Sequence, residues 1–249
     1  MIAPLLKSLL WVALLSAIPM GKAHAMVTNI AYWRCGEGDT PSPTGKRAEA
    51  NATTHDSTGN GHDLTRLNNE VDPGPFYTYP GAVPASSVAL GFDPEVRTAF
   101  CGTAISGLTA NWGIQCYTKS TSNGCSLISN GDSNLGGFGI FICNNHYSGV
   151  VNGIVVLEGN VTPDGKWHDV ALVNDSGTLQ LFVDGALDAS THSGGAKEAS
   201  GFLTLGTVYN GNTTAYENHA DGDIDEVRIF TFAEGQFEEP DLKGYVGVK

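Results

Sequence analysis

The sequence predicts an all-β fold, a β-sandwich or jelly roll. Gly, Asn, Ser, Thr and Asp recur throughout its 249 residues and set short alternating runs apart. Helical periodicity is nearly absent. The segment Asp221 to Phe230 alternates polar and apolar residues from Asp223 to Ile229, the period-2 signature of a strand with one buried and one wet face. Its apolar set is Ile224, Val227 and Ile229, with Asp225 intruding beside Ile224. A carboxylate beside a buried face is costly unless it is paired, hydrogen-bonded or bound to a metal, so this strand also marks a possible cation site.

Taken in chain order, the expected strands are Asn29–Trp33, Val88–Phe92, Trp112–Thr118, Ser126–Asn130, Gly137–Cys143, Val150–Leu157, His168–Asn174, Leu179–Val183, Phe202–Leu205 and Ile224–Phe230. One helical turn is expected around Glu234–Phe237. Gly36–Asn51 and Asp72–Pro84 are polar or proline-rich and read as long surface loops. One hairpin is well specified: Trp167, Val170 and Leu172 lead through Asn174-Asp175-Ser176-Gly177 into Leu179, Leu181 and Val183. That turn cluster supplies the positive-φ positions a tight turn needs. Asp184-Gly185 turns the chain again, giving a meander.

Residues 1–25 predict a secretory signal: Lys7, an apolar run from Leu9 to Ile18, Pro19, and the small-residue site Ala23-His24-Ala25. The apolar run is too short to span a bilayer, which needs about 20 residues. Residues 26–249 then form one domain, with no repeat or break in composition. Thirteen basic residues, less Lys7 and Lys22, against 26 acidic residues leave the mature chain at net −15. Such a charge argues against nucleic acid or an anionic membrane surface as partner and favours calcium or a neutral or basic glycan.

Five cysteines, Cys35, Cys101, Cys116, Cys125 and Cys143, in an oxidising compartment predict two bridges and one free thiol. Cys116 and Cys125 flank the polar tip Tyr117 to Gly124, which predicts a bridge clamping a hairpin. Asn51, Asn160, Asn174 and Asn212 open N-x-S/T sequons.

Three stretches carry a family resemblance. Asp164 to Val173 followed by Leu179 to Gly185 resembles the "G-x-W-H-x-V-A … L-x-L-x-V-D-G" core of laminin-G-like domains. Gly222 to Phe230 resembles their closing strand. Tyr32-Trp33 with Glu37, then His55 to Leu64, resembles the opening "W-x-x-x-E … D-x-S-G-N-x-x-x-L" pattern. They fall in family order and bracket almost all of the mature chain. The resemblance implies a concanavalin A-like jelly roll of two curved antiparallel sheets. It also implies a calcium ion shared by an Asp of the first motif and the Asp of the closing strand, here Asp56, Asn60 and Asp225, with a mainly structural role.

Trp33, Trp112 and Trp167 lie in alternating apolar runs and are expected in the core. Tyr147, Tyr209 and Tyr216 lie among Asn, Gly and His, the mix that stacks on sugars and bonds their hydroxyls. With His146 and Asn210 they predict a glycan-binding surface. Catalysis has weaker support. No E-x-D-x-x-E strand, G-x-S-x-G elbow, H-E-x-x-H helix or phosphate loop is present. His146-Tyr147 is the one acid–base pair open to a polysaccharide lyase. The sequence thus predicts a secreted carbohydrate-binding module, with a lyase or hydrolase, or a protein-binding adhesion module, as the alternatives.

Overall fold

The computed structural model describes residues 27–43, 47–67, 74–108, 110–132, 134, 136–193 and 196–243. The expected signal segment lies outside these residues. Two sheets pack face to face. The first, of eight strands, runs in the order Ala186–His192, Thr178–Val183, Trp167–Asp175, Trp112–Lys119, Gly222–Thr231, Ala89–Phe92, Phe76–Thr78. Thr28–Trp33 shares the far edge of Gly222–Thr231, pairing Thr28 with Thr231 and Trp33 with Val227. The second, of ten strands, runs Ile154–Glu158, His146–Val151, Gly136–Cys143, Cys125–Asp132, Phe202–Leu205, Phe100–Thr103, Leu64–Arg66, Thr53–Thr54. A small hairpin, Val208–Asn210 with Ala215–Glu217, joins it through Tyr209 and Asp132.

Alternation along each strand sends one face into a shared core. Trp33, Trp112, Phe100, Ile114, Ile140, Leu172, Leu181 and Ile229 are all fully buried there. Trp112 stacks on Phe138 across the sandwich, with ring centroids 3.6 Å apart. Trp167 is only half-buried. The opposite face of the eight-stranded sheet carries its own cluster, Ala171, Val173, Phe182 and Phe230, covered by Phe232, Phe237 and Leu242 of the C-terminal segment. Gln115 and Arg228 fasten that segment by donating to the carbonyls of Leu242 and Asp241.

The closing strand departs from strict alternation at Asp225–Glu226. Its register with Trp112–Lys119 shifts between Asp225 and Arg228, and Glu226 sits at φ 47°. This is a β-bulge, in which an extra residue re-aims the neighbouring side chains. The expected strand Val150–Leu157 is instead two strands, His146–Val151 and Ile154–Glu158, joined by Asn152 (φ 54°) and Gly153 (φ 76°). Asn-Gly is the preferred pair for such a tight turn. Residues 234–235 form a turn, and the helical turn lies a little later, at Glu239–Leu242. Phe76–Thr78 is a short strand inside the expected loop Asp72–Pro84.

The expected Cys116–Cys125 clamp is corrected. All five cysteines are free. Trp112–Lys119 and Cys125–Asp132 belong to opposite sheets, so the tip between them crosses the sandwich and is not a hairpin.

Candidate functional site

On the strand Phe202–Leu205, Leu203 and Leu205 point into the core, so Phe202 faces outward, 36 % exposed. The Val208–Glu217 hairpin lies over this outer face and pairs Tyr209 with Tyr216 across its two strands. Phe202 meets Tyr209 edge-on at 4.8 Å and Tyr216 at 6.0 Å, and the two tyrosines are 5.3 Å apart. Three partly exposed rings therefore share one patch. Asn210 holds the hairpin in shape. Its Oδ1 accepts from the backbone N–H of Asn212 at 3.0 Å and from Asn134 Nδ2 at 2.6 Å, while its Nδ2 donates to Glu217 at 3.0 Å. Hydrogen bonds from Asn210 and Thr213 hold the Glu217 carboxyl below its usual range. The patch thus offers flat apolar faces ringed by amides and one carboxylate, the chemistry that takes a sugar's C–H face and its hydroxyls.

Of the residues expected on this surface, Tyr209, Asn210 and Tyr216 come together, and Phe202 joins them. Tyr147 does not: it is fully buried in the core between the sheets, edge-on to His168 at 5.9 Å. His146, its neighbour on the strand, faces the other side of the sheet beside Glu158, 3.6 Å away. Adjacent residues on a strand point to opposite faces, so His146 and Tyr147 cannot act as one acid–base pair. His146 is level with Cys143, and Tyr209 is level with Asp132 at the other end of the same strands. At ~3.3 Å per residue that separates them by roughly 20 Å.

The expected calcium ligands also divide. Asp56 Oδ1 accepts from Tyr32 N–H, Thr58 N–H and Thr58 Oγ1, and Oδ2 accepts from His62 N–H. Asn60 Nδ2 donates to the Ile30 carbonyl at 2.8 Å. Both residues brace the loop against the first strand. Asp225 instead meets Glu37 and Glu226: one carboxylate oxygen from each lies within 4.8 Å of the others, and among the described residues no other such group of three forms. The bulge creates this cluster by turning both Asp225 and Glu226 out of the core stripe. Asp225 Oδ2 accepts from Ala82 N–H at 2.8 Å and Ser86 Oγ at 2.7 Å. Glu226 accepts from Tyr32 Oη and lies 3.4 Å from Arg34 Nε. Glu37 accepts from Val88 N–H and the Ser87 hydroxyl.

Burial, reinforced by the charges of Glu226 and Glu37, pushes the Asp225 carboxyl up to about 8. Burial raises Glu226 as well. Three converging carboxylates, with Arg34 beside Glu37 and Glu226, form an oxygen-only donor set of the kind hard divalent cations take. The residues fit calcium, with Glu37 and Glu226 beside the expected Asp225; Asp56 and Asn60 are not members of this group of three. Glu37 was visible in the opening motif; Glu226 carried no separate signal.

A further polar relay sits at the surface. Thr40 Oγ1 is 2.8 Å from His55 Nε2, and His55 Nδ1 is 2.8 Å from Asp63 Oδ2. The order hydroxyl–imidazole–carboxylate is that of a nucleophile relay, but neither Thr40 nor Pro41 offers it a free backbone N–H as oxyanion donor. Thr40 N–H is spent on the Thr53 carbonyl, and Pro41 has no N–H.

Two antiparallel sheets with a shared core and a closing strand beside the opening one define a jelly-roll β-sandwich. The chain belongs to the concanavalin A-like lectin/glucanases superfamily, whose laminin-G family model matches residues 107–236. No curated protein sequence matches it. Among solved structures it is similar to domain 4 of AbnA, a GH43 extracellular arabinanase from Geobacillus stearothermophilus, in complex with arabinotriose. Identity there is 18 %, coverage is 88 % of this chain and 99 % of that one, and the TM-score is 0.55. It is also similar to the binding domain of botulinum neurotoxin DC in complex with SialylT, at 14 % identity and TM-score 0.52, covering 86 % of this chain and 49 % of that one. At these identities the likeness is one of fold.

Proposed function

We propose that the protein is an extracellular glycan-binding module whose binding surface is the patch of Phe202, Tyr209 and Tyr216. The observation that carries this reading is the convergence of three partly exposed rings, from a strand and a hairpin, beside Asn210 and Glu217. Rings of this kind fill a core in most places; here they lie on an outer face with amides around them. The sugars in the complexes of the two related structures agree with the ligand class. Phe202 and the tyrosines stack on sugar faces, and Asn210, with its amide already fixed, orients the hydroxyls. The net charge of the mature chain favours neutral sugars over polyanions.

Calcium completes the reading as a structural ion held by Glu37, Asp225 and Glu226. Bound there it would supply the positive charge that lets three carboxylates stay ionised together. It would also tie the Ser86–Val88 loop, the opening strand and the closing strand to one point.

The test is binding to an immobilised array of neutral glycans, compared between the wild type and the Tyr209→Ala/Tyr216→Ala double variant. Loss of binding in a variant that melts normally supports the reading. Unchanged binding overturns it.

A further inference from the structure

The face opposite the aromatic patch carries a second recess. Tyr117 and Asp169 pair across neighbouring strands, and both point outward, on the side of the sheet where the C-terminal segment packs. With Asp184, Gly185 and Lys243 they bound a cavity of about 270 Å³. Each wall is fixed by an identifiable contact. Asp184 sits at the tight turn after Thr178–Val183, at φ 54°. Its Oδ1 accepts from Asp169 N–H at 3.0 Å, and its Oδ2 is 2.8 Å from His168 Nδ1. Gly185 makes room for the lysine: a Cβ there would lie 2.7 Å from Lys243 Cε. Lys243 is brought over the recess by the turn Glu239–Leu242, which Gln115 and Arg228 anchor.

The polar groups left over are what a ligand would meet. Asp169 is 9 % exposed, and among the described residues Gln115 is the only hydrogen-bond donor to its carboxylate, on Oδ1 at 2.6 Å. Oδ2 therefore remains for the cavity. Tyr117 Oη has no hydrogen-bond partner among the described residues, and its half-buried ring forms a wall. The Lys243 ammonium acts on Asp169 through space. A free carboxylate oxygen, a phenol, an ammonium and an aromatic wall around one small volume suit adjacent hydroxyls on a ring. The recess opens to solvent, and its volume falls just below the roughly 300–1,000 Å³ of drug-sized pockets, a size that seats one sugar ring.

We propose that this cavity is a second glycan subsite, built to hold a single neutral sugar residue by its vicinal hydroxyls between Asp169 and Lys243 and by its apolar face on Tyr117. The ligand class rests on the glycan-binding reading of the aromatic patch; the site itself is independent of it. Two sites on the outer faces of opposite sheets make the module bivalent, able to link two glycan chains.

The experiment is an amide NMR titration of the full protein with neutral trisaccharides, arabinotriose among them, up to 20 mM. In wild type, and in the Tyr209→Ala/Tyr216→Ala variant, we expect the amides of Tyr117, Asp169, Asp184 and Gly185 to shift with saturation. Tyr117→Ala should weaken that response about tenfold, and Lys243→Ala severalfold, while patch shifts persist. Shifts confined to residues 202–217 overturn the second subsite and leave the glycan reading standing. Silence of both regions to every sugar overturns both. Equal responses in wild type, Tyr117→Ala and Lys243→Ala also overturn it.

Discussion

Replacing Asp169 by Asn should make this protein more stable, and only above a definite pH. Asp169 is buried beneath the C-terminal segment, and burial pushes its carboxyl from the usual 3.8 up to about 6, against the opposing pull of the Gln115 hydrogen bond and the Arg228 charge. The folded chain therefore keeps this proton up to about pH 6, whereas the unfolded chain releases it near 4. Between those values the folded state binds more protons, so stability falls as pH rises, and the full cost is present above pH 6. A shift of about two units corresponds to about 3 kcal/mol. Asn keeps an oxygen for Gln115 Nε2 and removes the charge. The variant should gain up to about 3 kcal/mol at pH 8 and almost nothing at pH 4. For a chain of 249 residues, at about 2–4 °C per kcal/mol, that is a rise in Tm of roughly 6–12 °C at pH 8. Urea unfolding and calorimetry at both pH values measure it. A gain of equal size at pH 4 and pH 8, or a loss at pH 8, refutes the reasoning.

Other outcomes follow from the same structure. Chelation with EDTA should lower Tm, and calcium at a hundredfold excess over its Kd should restore about 2.7 kcal/mol; Asp225→Asn should abolish that response in a thermal-shift assay. Tyr209→Ala and Tyr216→Ala should each remove most glycan affinity while costing less than about 1 kcal/mol of stability, because both side chains are partly exposed. Trp112→Ala should cost about 3–5 kcal/mol in urea unfolding, since it empties a fully buried site against Phe138.

What the sequence revealed depended on whether a signal was local. The closing strand and the Trp167–Val183 hairpin were legible because period-2 burial and turn chemistry are written in adjacent residues. The Val150–Leu157 region misled because Asn152-Gly153 is a two-residue turn between apolar runs, and apolar residues continue on both sides of it. Tyr147 misled for a related reason. The polar residues before it, Asn144 and Asn145 at φ 51° and 64°, form the preceding turn, and Tyr147 is the first inward residue of the next strand. Tyr209 and Tyr216 carry the same composition, but their hairpin lies on top of a sheet and keeps them accessible.

The carboxylate site shows a different limit. The opening and closing motifs supplied Asp56, Glu37 and Asp225, but donors from Tyr32, Thr58 and His62 engage Asp56 and a bulge recruits Glu226. Neither can be read without the register. Phe202 and the Tyr117–Asp169 recess were invisible for want of a pairing partner: each becomes a site only when a distant strand or the C-terminal turn is laid beside it.

The place of Gly222–Thr231 governs how the chain is made. It lies inside its sheet, gripped by Trp112–Lys119 on one side and by Thr28–Trp33 and Ala89–Phe92 on the other. During synthesis the earliest strand must wait for almost the latest before it finds its neighbour, a separation of nearly two hundred residues. Contacts so remote in sequence slow folding, and the half-made sheet exposes unpaired edges that invite aggregation. Closure of this first sheet is therefore deferred until Gly222–Thr231 has been made.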